Sequence, residues 1–441
     1  MKLNVYSKTL IILAIPAILE SLLQSMVGFV DILFISKLGL KEVVAVGISN
    51  AILQIYFAVF LALGTASTVF VSRYLGANEK EKVKVITSHS IILTLVVGSI
   101  FGIISFFFPE NLLALMGAEK DVIEIGSVYF RIVATPAILI SVMFTIGAIL
   151  RGSGDTKTPL RIGIWMNIVH IVLDYVLIFG VFFEGLGLQG AAIASVIARL
   201  FGVYLLLHHL FIKGFVSYKL SEWIIKIEVI KDLVKLGIPA SMERLLMRFG
   251  QVIYFGLIVR MGTEVYAAHT LAGNFTIFAS VIGTGIAVAT TTLVGKSLGA
   301  GDIEAVKNYS ISSIKLMTIS MTTTLLITFL LSSKISSIFT ADIVVIGLIT
   351  TVLAIDLITQ PATAIVASLT ATLQAGGDTK FPMYMTAIGI WAIRTVGVYF
   401  LGIYLGWGLV GAWIAIGLDN YFRAILLIVR YRSLKWIKDL T

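Results

Sequence analysis

Long apolar segments constrain this chain more than any other feature of its sequence. Twelve such segments follow one another, each of about 20 or more mostly apolar residues, which is enough to cross a bilayer. Unpaired backbone N–H and C=O groups cannot face lipid, so each segment is predicted to be helical. The chain is therefore predicted to be an all-α polytopic membrane protein with spans near 10–35, 47–71, 86–108, 128–150, 160–182, 187–212, 236–259, 267–293, 310–332, 345–372, 383–404 and 408–429.

The composition agrees with a membrane protein and disfavours other classes. Hydrophobic residues make up 58% of the chain and charged residues 13%, and the mean hydropathy is +1.02. The net charge of +9 is not gathered into a basic run with interleaved aromatics, so no nucleic-acid partner is expected. The chain has no cysteine, which excludes disulfides and thiol catalysis. No nucleophile–base pair or metal-ligand spacing indicates an enzyme.

Lysine and arginine are concentrated in the loops on the side of the N-terminus. The loops of the opposite side contain only Lys37, Lys41, Lys120, Arg260 and Lys334. Because cytoplasmic loops carry the excess of positive residues, and because the number of spans is even, both termini are predicted to be cytoplasmic. We expect a multi-pass protein of the cell membrane that acts as a monomer.

The sequence contains an internal duplication. "LAIPAILESLL" at 13–23 returns as "LGIPASMERLL" at 236–246, and "LRGSGDTKTP" at 150–159 returns as "LQAGGDTKFP" at 373–382, both at an offset of 223 positions. We predict two pseudo-symmetric six-helix lobes, 1–212 and 236–441, joined by a cytoplasmic amphipathic linker at 213–235. Six spans return the chain to the same side, so both lobes insert in the same orientation.

The repeated loop is interpreted as scaffold, because it is present in both halves. Its glycines allow a tight reversal. Asp155 is predicted to hydrogen-bond its own turn or to cap the next helix, whose first turn accepts Pro159.

These motifs resemble those of the multidrug and toxic compound extrusion (MATE) family, in its prokaryotic NorM- and DinF-like branches. The resemblance rests on the GDTK-x-P loop after span 4 of each half, the LGA motif after span 2 of each half, and "VLDYVLIFG" at 172–180. It covers residues 8–430. It implies a V-shaped pair of six-helix bundles and efflux of small cationic or amphipathic organic compounds, in exchange for H⁺ or Na⁺ and without a cofactor.

Ionisable residues inside the spans are candidate functional residues, because each costs about 2.5–3.5 kcal/mol to insert. Asp31 lies in span 1 and Asp174 in span 5. Asn167 and His170 share a helical face with Asp174, and Ser195 in span 6 adds a hydroxyl. We predict that this set binds the coupling cation, since burial favours a protonated carboxyl and the same oxygens suit a hard cation such as Na⁺. A structural role in bracing helices is the alternative.

The resemblance supports this site, because Asp31 and Asp174 match the span 1 and span 5 acids of archaeal and related members. His170 stands where such members carry asparagine. This departure weakens a Na⁺ site lined by oxygen and favours protons, since histidine titrates near neutral pH. The second half lacks the whole set, and the equivalent positions are occupied by Tyr254, Ile390, Ile393 and Gly397.

A second group of residues is predicted to face the substrate. Glu20 and Glu243 are equivalent in the two halves, each four residues after a proline, and a gating or substrate-facing role competes with a structural one. Adaptable side chains that suit cationic ligands, or else simply pack between helices, are Met26, Met247, Tyr254 and Phe275. Four arginines in or near spans are expected to snorkel or to pair with acids, namely Arg131, Arg199, Arg394 and Arg423.

The leading functional hypothesis is a secondary active drug antiporter. "VGKS" at 294–297 lacks the earlier glycine of a phosphate-binding loop, so an ion gradient is the expected energy source. A flippase for lipid-linked oligosaccharides or lipids, from the same superfamily, is the alternative. The flippase hypothesis predicts a cationic central cavity, and the acidic side chains of Glu20 and Glu243 argue against it. A channel is the third candidate.

Overall fold

The protein is all-helical in a computed structural model that describes residues 4–181, 184–216 and 223–437. The helix Lys380–Ala387 continues into two π-helical segments, Ile388–Thr395 and Val398–Tyr404. The helices are α1 (Val5–Ser36), α2 (Leu40–Gly76), α3 (Lys80–Phe107), α4 (Pro109–Leu115), α5 (Lys120–Ala134), α6 (Ala137–Gly152), α7 (Lys157–Phe179), α8 (Gly187–Ile212), α9 (Ile227–Val259), α10 (Thr263–Gly299), α11 (Ile303–Phe339), α12 (Ile343–Ala375), α13 (Lys380–Ala387) and α14 (Gly408–Arg432).

The helices confirm the predicted class of all-α membrane protein. Within the described residues, 10 helices are long and apolar enough to cross a membrane, and the bent pair α5–α6 makes 11. The bend of 46° replaces the continuous span expected at 128–150. It lies at Pro136, which has no N–H to donate to the helix and whose ψ of 42° departs from helical geometry. The predicted seventh span lies in α9, where Glu243, Arg244 and Arg248 interrupt the apolar sequence.

The chain forms two compact units whose boundaries fall inside helices. The N-terminal unit is Leu19–Ser241, and the C-terminal unit combines Met1–Ile18 with Met242–Thr441. Each boundary follows an internal proline by two residues, Pro16 in α1 and Pro239 in α9. Proline removes a helical hydrogen bond and kinks a helix, which accounts for a change of packing partners at these points. The predicted lobes differ from these units in residues 1–18 and 213–241. Residues 217–222 of the predicted linker lie outside the described residues.

The start of α1 is packed into the core of the C-terminal unit. Leu10 and Ala14 are buried with Ile286 of α10. Gly285 permits this close approach, because a Cβ at that position would overlap the side chain of Ile18. The opening residues of the chain are thus part of the fold of its second half.

The repeated GDTK loop is a glycine-containing turn in both halves, and in the first half Asp155 hydrogen-bonds its own turn as predicted. Gly154 and Gly377 adopt positive φ values of 92° and 79°, which favour glycine. The Asp155 carboxylate accepts hydrogen bonds from the Thr158 backbone N–H at 3.0 Å and the Thr158 hydroxyl at 2.8 Å. Its partner at 378 occupies the same place in the second loop.

Each loop aspartate is also paired to the sixth span of its own half of the duplication. Asp155 lies 2.6 Å from Lys213 Nζ, at the end of α8, and Asp378 lies 2.7 Å from Arg430 Nη2 on α14. Burial raises the pKa of Asp155, but the hydrogen bonds from Lys213 and Thr158 outweigh it and lower the pKa to about 2. Asp155 therefore remains anionic at neutral pH and stays paired with Lys213.

Candidate functional site

The site begins with a polar stripe on α7. Asn167 and Asp174 are buried, and His170 lies between them on the same face. The other face exposes large apolar side chains, including Ile168 and Val172. A helix with polar residues inward and apolar residues outward is the arrangement expected where lipid surrounds the protein.

Three helices of the N-terminal unit bring four of the five predicted ion-site residues together. His170 Nε2 lies 2.9 Å from the Ser195 hydroxyl of α8 and 3.5 Å from Asp174 Oδ2. His170 Nδ1 lies 3.9 Å from Asp31 Oδ1 of α1. The imidazole thus stands between two carboxyl groups, with one ring nitrogen facing each. Within the described residues, no hydrogen bond or ion pair joins Asn167 to this group.

The two carboxyl groups have unused capacity to bind a cation. Asp31, His170 and Asp174 each offer a ligand atom within 4.8 Å of the others. Asp31 Oδ1 and Asp174 Oδ1 are buried and lack a hydrogen-bond partner among the described residues. A carboxyl oxygen of Asp31 and one of Asp174 also lie within 4.8 Å of each other, and two acids this close share a proton more readily than they ionise together. The site can therefore hold a proton or a small hard cation.

Arg199 and Tyr129 complete the surroundings of the site, and the sequence interpretation missed both. Arg199 follows Ser195 by one helical turn on α8, and its Nη1 donates to the Val133 carbonyl at 3.1 Å. Its charge acts on Asp31 and His170. Tyr129 of α5 is buried beside Arg199. The i, i+4 spacing from Ser195 was the available signal for a place at the site, whereas snorkelling or pairing was the interpretation given to Arg199.

Glu20 and Glu243 are held by equivalent partners in their own units. Arg151 Nη1 donates to both Glu20 oxygens, at 3.0 and 3.3 Å. The residue 223 positions later is Gln374, whose Nε2 donates to Glu243 Oε2 at 3.0 Å. The Thr386 hydroxyl donates to Glu243 Oε1 at 3.3 Å. The gating role of the two glutamates stays a prediction, but each one is anchored to a neighbouring helix.

One buried acid of the C-terminal unit, Asp419, is paired directly with two arginines. Asp419 contacts Arg394 at 2.6 Å and Arg423 at 2.8 Å, which confirms the expectation of pairing for both arginines. Asp356 accepts a hydrogen bond from the Thr359 hydroxyl at 3.1 Å. Asp419 of α14 is thus held by two permanent positive charges. Arg131, the fourth arginine considered from the sequence, lies exposed on α5.

The predicted cavity-lining residues fall into two groups. Met26 and Met247 are exposed on their own units. Tyr254 and Phe275 are instead buried in the apolar core of the C-terminal unit, and Arg394 lies over the Tyr254 ring at 5.6 Å. Helix packing, the alternative considered for this set, describes Tyr254 and Phe275, because their rings are enclosed by core side chains.

The duplicated helical fold and the buried acidic site in one half define the class of helical membrane transporters. The MatE family profile matches residues 16–176 and 239–400, one match in each half. The chain belongs to the MatE family, and is therefore a multi-pass membrane transporter rather than an enzyme. The resemblance inferred from the motifs is thereby confirmed.

Relatives match along nearly the whole chain. The uncharacterized transporter YisQ of Bacillus subtilis is 30% identical over 96% of this chain and 93% of its own length. The probable multidrug resistance protein NorM of Thermotoga maritima is 29% identical over 98% of this chain and 93% of its own length.

Solved structures share the fold at lower identity. A MATE transporter in a bent conformation superposes with a TM-score of 0.91 at 24% identity, over 98% of this chain and 95% of its own. A MOP superfamily transporter from Pyrococcus furiosus, described as having a binding pocket of reverse polarity, superposes with a TM-score of 0.90 at 24% identity, over 98% and 97%.

Proposed function

We propose that the protein is an antiporter of the cell membrane that exports small cationic or amphipathic organic compounds. The driving cation, H⁺ or Na⁺, binds at Asp31, His170 and Asp174 of the N-terminal unit. Both termini are cytoplasmic in this proposal, in keeping with the distribution of Lys and Arg among the loops. The relative from Thermotoga maritima, named as a probable multidrug resistance protein, supports the substrate class.

The observation that carries the proposal is the contrast between this acid pair and the other buried acids. Glu20 and Asp419 lie within 3.0 Å of arginine nitrogens, and Glu243 and Asp356 accept hydrogen bonds from uncharged side chains. Asp31 and Asp174 have no Lys or Arg nitrogen within ion-pair distance among the described residues. They are also the only described acids that each keep a buried carboxylate oxygen without a hydrogen-bond partner. An acid pair that lacks a resident counter-ion in contact favours a cation that comes and goes.

The chemistry of coupling follows from this arrangement. When the cation leaves, two buried carboxylates face each other at short range, which is costly where water is scarce. Exchange across the membrane then requires only that the bound cation and the bound substrate favour different conformational states of the transporter. His170 links the two acids, because its ring nitrogens face one carboxyl each, and Ser195 fixes the orientation of the ring.

Dye extrusion by cells that express Asp31→Asn or Asp174→Asn tests the proposal. Each variant removes a cation-binding charge while keeping the size of the side chain. We expect at least a 10-fold loss of extrusion at unchanged membrane abundance. Asp121→Asn, which alters an exposed acid paired to Lys41, is the matched control and is expected to extrude dye normally.

Two outcomes would overturn the proposal. Full extrusion by both Asp31→Asn and Asp174→Asn at normal abundance would show that transport does not need this cation site. Failure of the wild-type protein to extrude any cationic dye, together with rescue of a strain deficient in flipping lipid-linked oligosaccharides, would favour the flippase alternative.

A further inference from the structure

Arg199 carries a permanent positive charge near the acid pair, within the described part of the N-terminal unit. The antiport proposal leaves the role of this charge open. Arg199 lies on α8, one turn beyond Ser195, and Ser195 itself contacts His170 at 2.9 Å. Its Nη1 donates to the Val133 carbonyl on α5 at 3.1 Å. The backbone contact holds the guanidinium inside the unit, where it interacts electrostatically with Asp31 and with Tyr129.

The groups that face the site can be counted by charge. α1 contributes Asp31, α7 contributes Asp174 and the imidazole of His170, α5 contributes the Tyr129 hydroxyl, and α8 contributes Arg199. A guanidinium stays charged at any relevant pH. Asp31 and His170 therefore act in the field of a fixed cation, and Asp174 contacts that same imidazole. No ion pair shorter than 4.0 Å joins either acid to Arg199 among the described residues.

The other half of the chain does not repeat this arginine. At the offset of 221 positions that relates α8 to α14, the equivalent residue is Asn420. Its amide donates to the Thr363 hydroxyl at 3.0 Å and accepts from Arg423 at 2.8 Å. Arg199 is thus confined, like the acid pair, to the N-terminal unit, as expected of a residue that belongs to the site rather than to the common scaffold.

We propose that Arg199 is the fixed counter-cation of the Asp31–Asp174 pair and that it disfavours Na⁺ at this site. The inference rests on the proposed antiport function and narrows its coupling ion to H⁺. A Na⁺ ion at this site would lie among the same oxygens and would be repelled by the guanidinium charge. One of its ligands would be an imidazole nitrogen in place of the oxygen that hard cations prefer. A proton feels the same guanidinium charge, but it forms a covalent O–H bond with one carboxyl and needs no shell of oxygen ligands.

Thermal unfolding of the purified full-length protein in NaCl, compared with equal choline chloride, tests this role of Arg199. The wild-type midpoint is expected to be the same in both salts at pH 8. Arg199→Gln is expected to gain a Na⁺-specific stabilisation, because removal of one nearby charge strengthens cation binding on the order of 10- to 100-fold. The double variant Arg199→Gln with Asp174→Asn should lose that gain, which places the Na⁺ at the acid pair.

Matched variants separate the charge from other effects. Arg199→Lys keeps the charge and should remain insensitive to Na⁺, and Arg131→Gln removes an exposed arginine from α5 and should behave as wild type. Arg199→Met fills a similar volume and serves as the second charge-removing variant if Arg199→Gln does not fold. Na⁺ stabilisation of the wild type equal to that of Arg199→Gln, or no Na⁺ response in either charge-removing variant, would overturn the inference.

The two proposals fail in different ways. If wild-type protein in liposomes moves dye without dependence on either a pH or a Na⁺ gradient, the antiport function is wrong even if Arg199→Gln gains Na⁺ binding. If wild-type transport follows a Na⁺ gradient, antiport stands and the assignment of Arg199 is wrong.

Discussion

Replacement of Arg151 tests how the two halves hold their buried glutamates. Arg151 and Glu20 side chains are only 14% and 16% exposed, and loss of one partner of a buried ion pair costs about 3–5 kcal/mol. We therefore expect Arg151→Leu to destabilise the N-terminal unit by that amount. Arg151→Gln instead installs the partner that the C-terminal unit already uses, where Gln374 donates to Glu243 at 3.0 Å. Because a hydrogen bond to the carboxylate is kept, its cost should be about 1–2 kcal/mol.

The difference of about 2 kcal/mol corresponds to about 4–8 °C in Tm for a unit of this size. Thermal unfolding of purified protein in one detergent measures it, with Asp121→Asn as a control that should leave Tm unchanged because its pair with Lys41 is solvent-exposed. Equal Tm values for Arg151→Leu and Arg151→Gln would refute the reasoning, since the carboxylate would then not need a donor.

Three further changes probe other contacts. Ser195→Ala removes the hydroxyl that orients His170 and should slow dye efflux about 2- to 10-fold at normal abundance; unchanged efflux would contradict this. Asp419→Asn leaves buried arginines without their counter-charge and should cost about 3–5 kcal/mol, seen as loss of folded protein on size-exclusion chromatography. Asp155→Asn should lower Tm at pH 7. Because the folded-state pKa of Asp155 is depressed to about 2, its contribution is present above about pH 4 and is lost as pH falls towards 2, so the Tm difference from wild type should shrink over that range and not at higher pH.

Apolar length and the repeat predicted the helical content and most helix positions, because both depend on local composition. The change of packing partners inside α1 and α9 was not predicted. Pro16 and Pro239 mark where each helix can kink, but nothing local says which helices the residues on either side will contact. The bend at Pro136 was likewise marked in the sequence and was read as part of one continuous span.

The ion-site residues of α7 could be predicted because helical periodicity places them on one face. The contacts of Asp31 and Ser195 with His170 join three helices, so their distances depend on tertiary packing. Arg199 was missed for the same reason, since a lone arginine in a span looks the same in sequence whether its end lies at the membrane surface or beside buried acids. The absence of equivalent residues from the second half of the chain was the stronger sequence signal, both for the acid pair and for Arg199.

Transport by the reconstituted protein, with pH and Na⁺ gradients imposed separately, tests the central claim most directly. Wild-type liposomes should accumulate a cationic dye only when an opposing cation gradient is present, and Asp174→Asn liposomes should show no response to either gradient. Gradient-driven transport by Asp174→Asn at the wild-type rate would contradict the account, because the driving cation would then bind elsewhere.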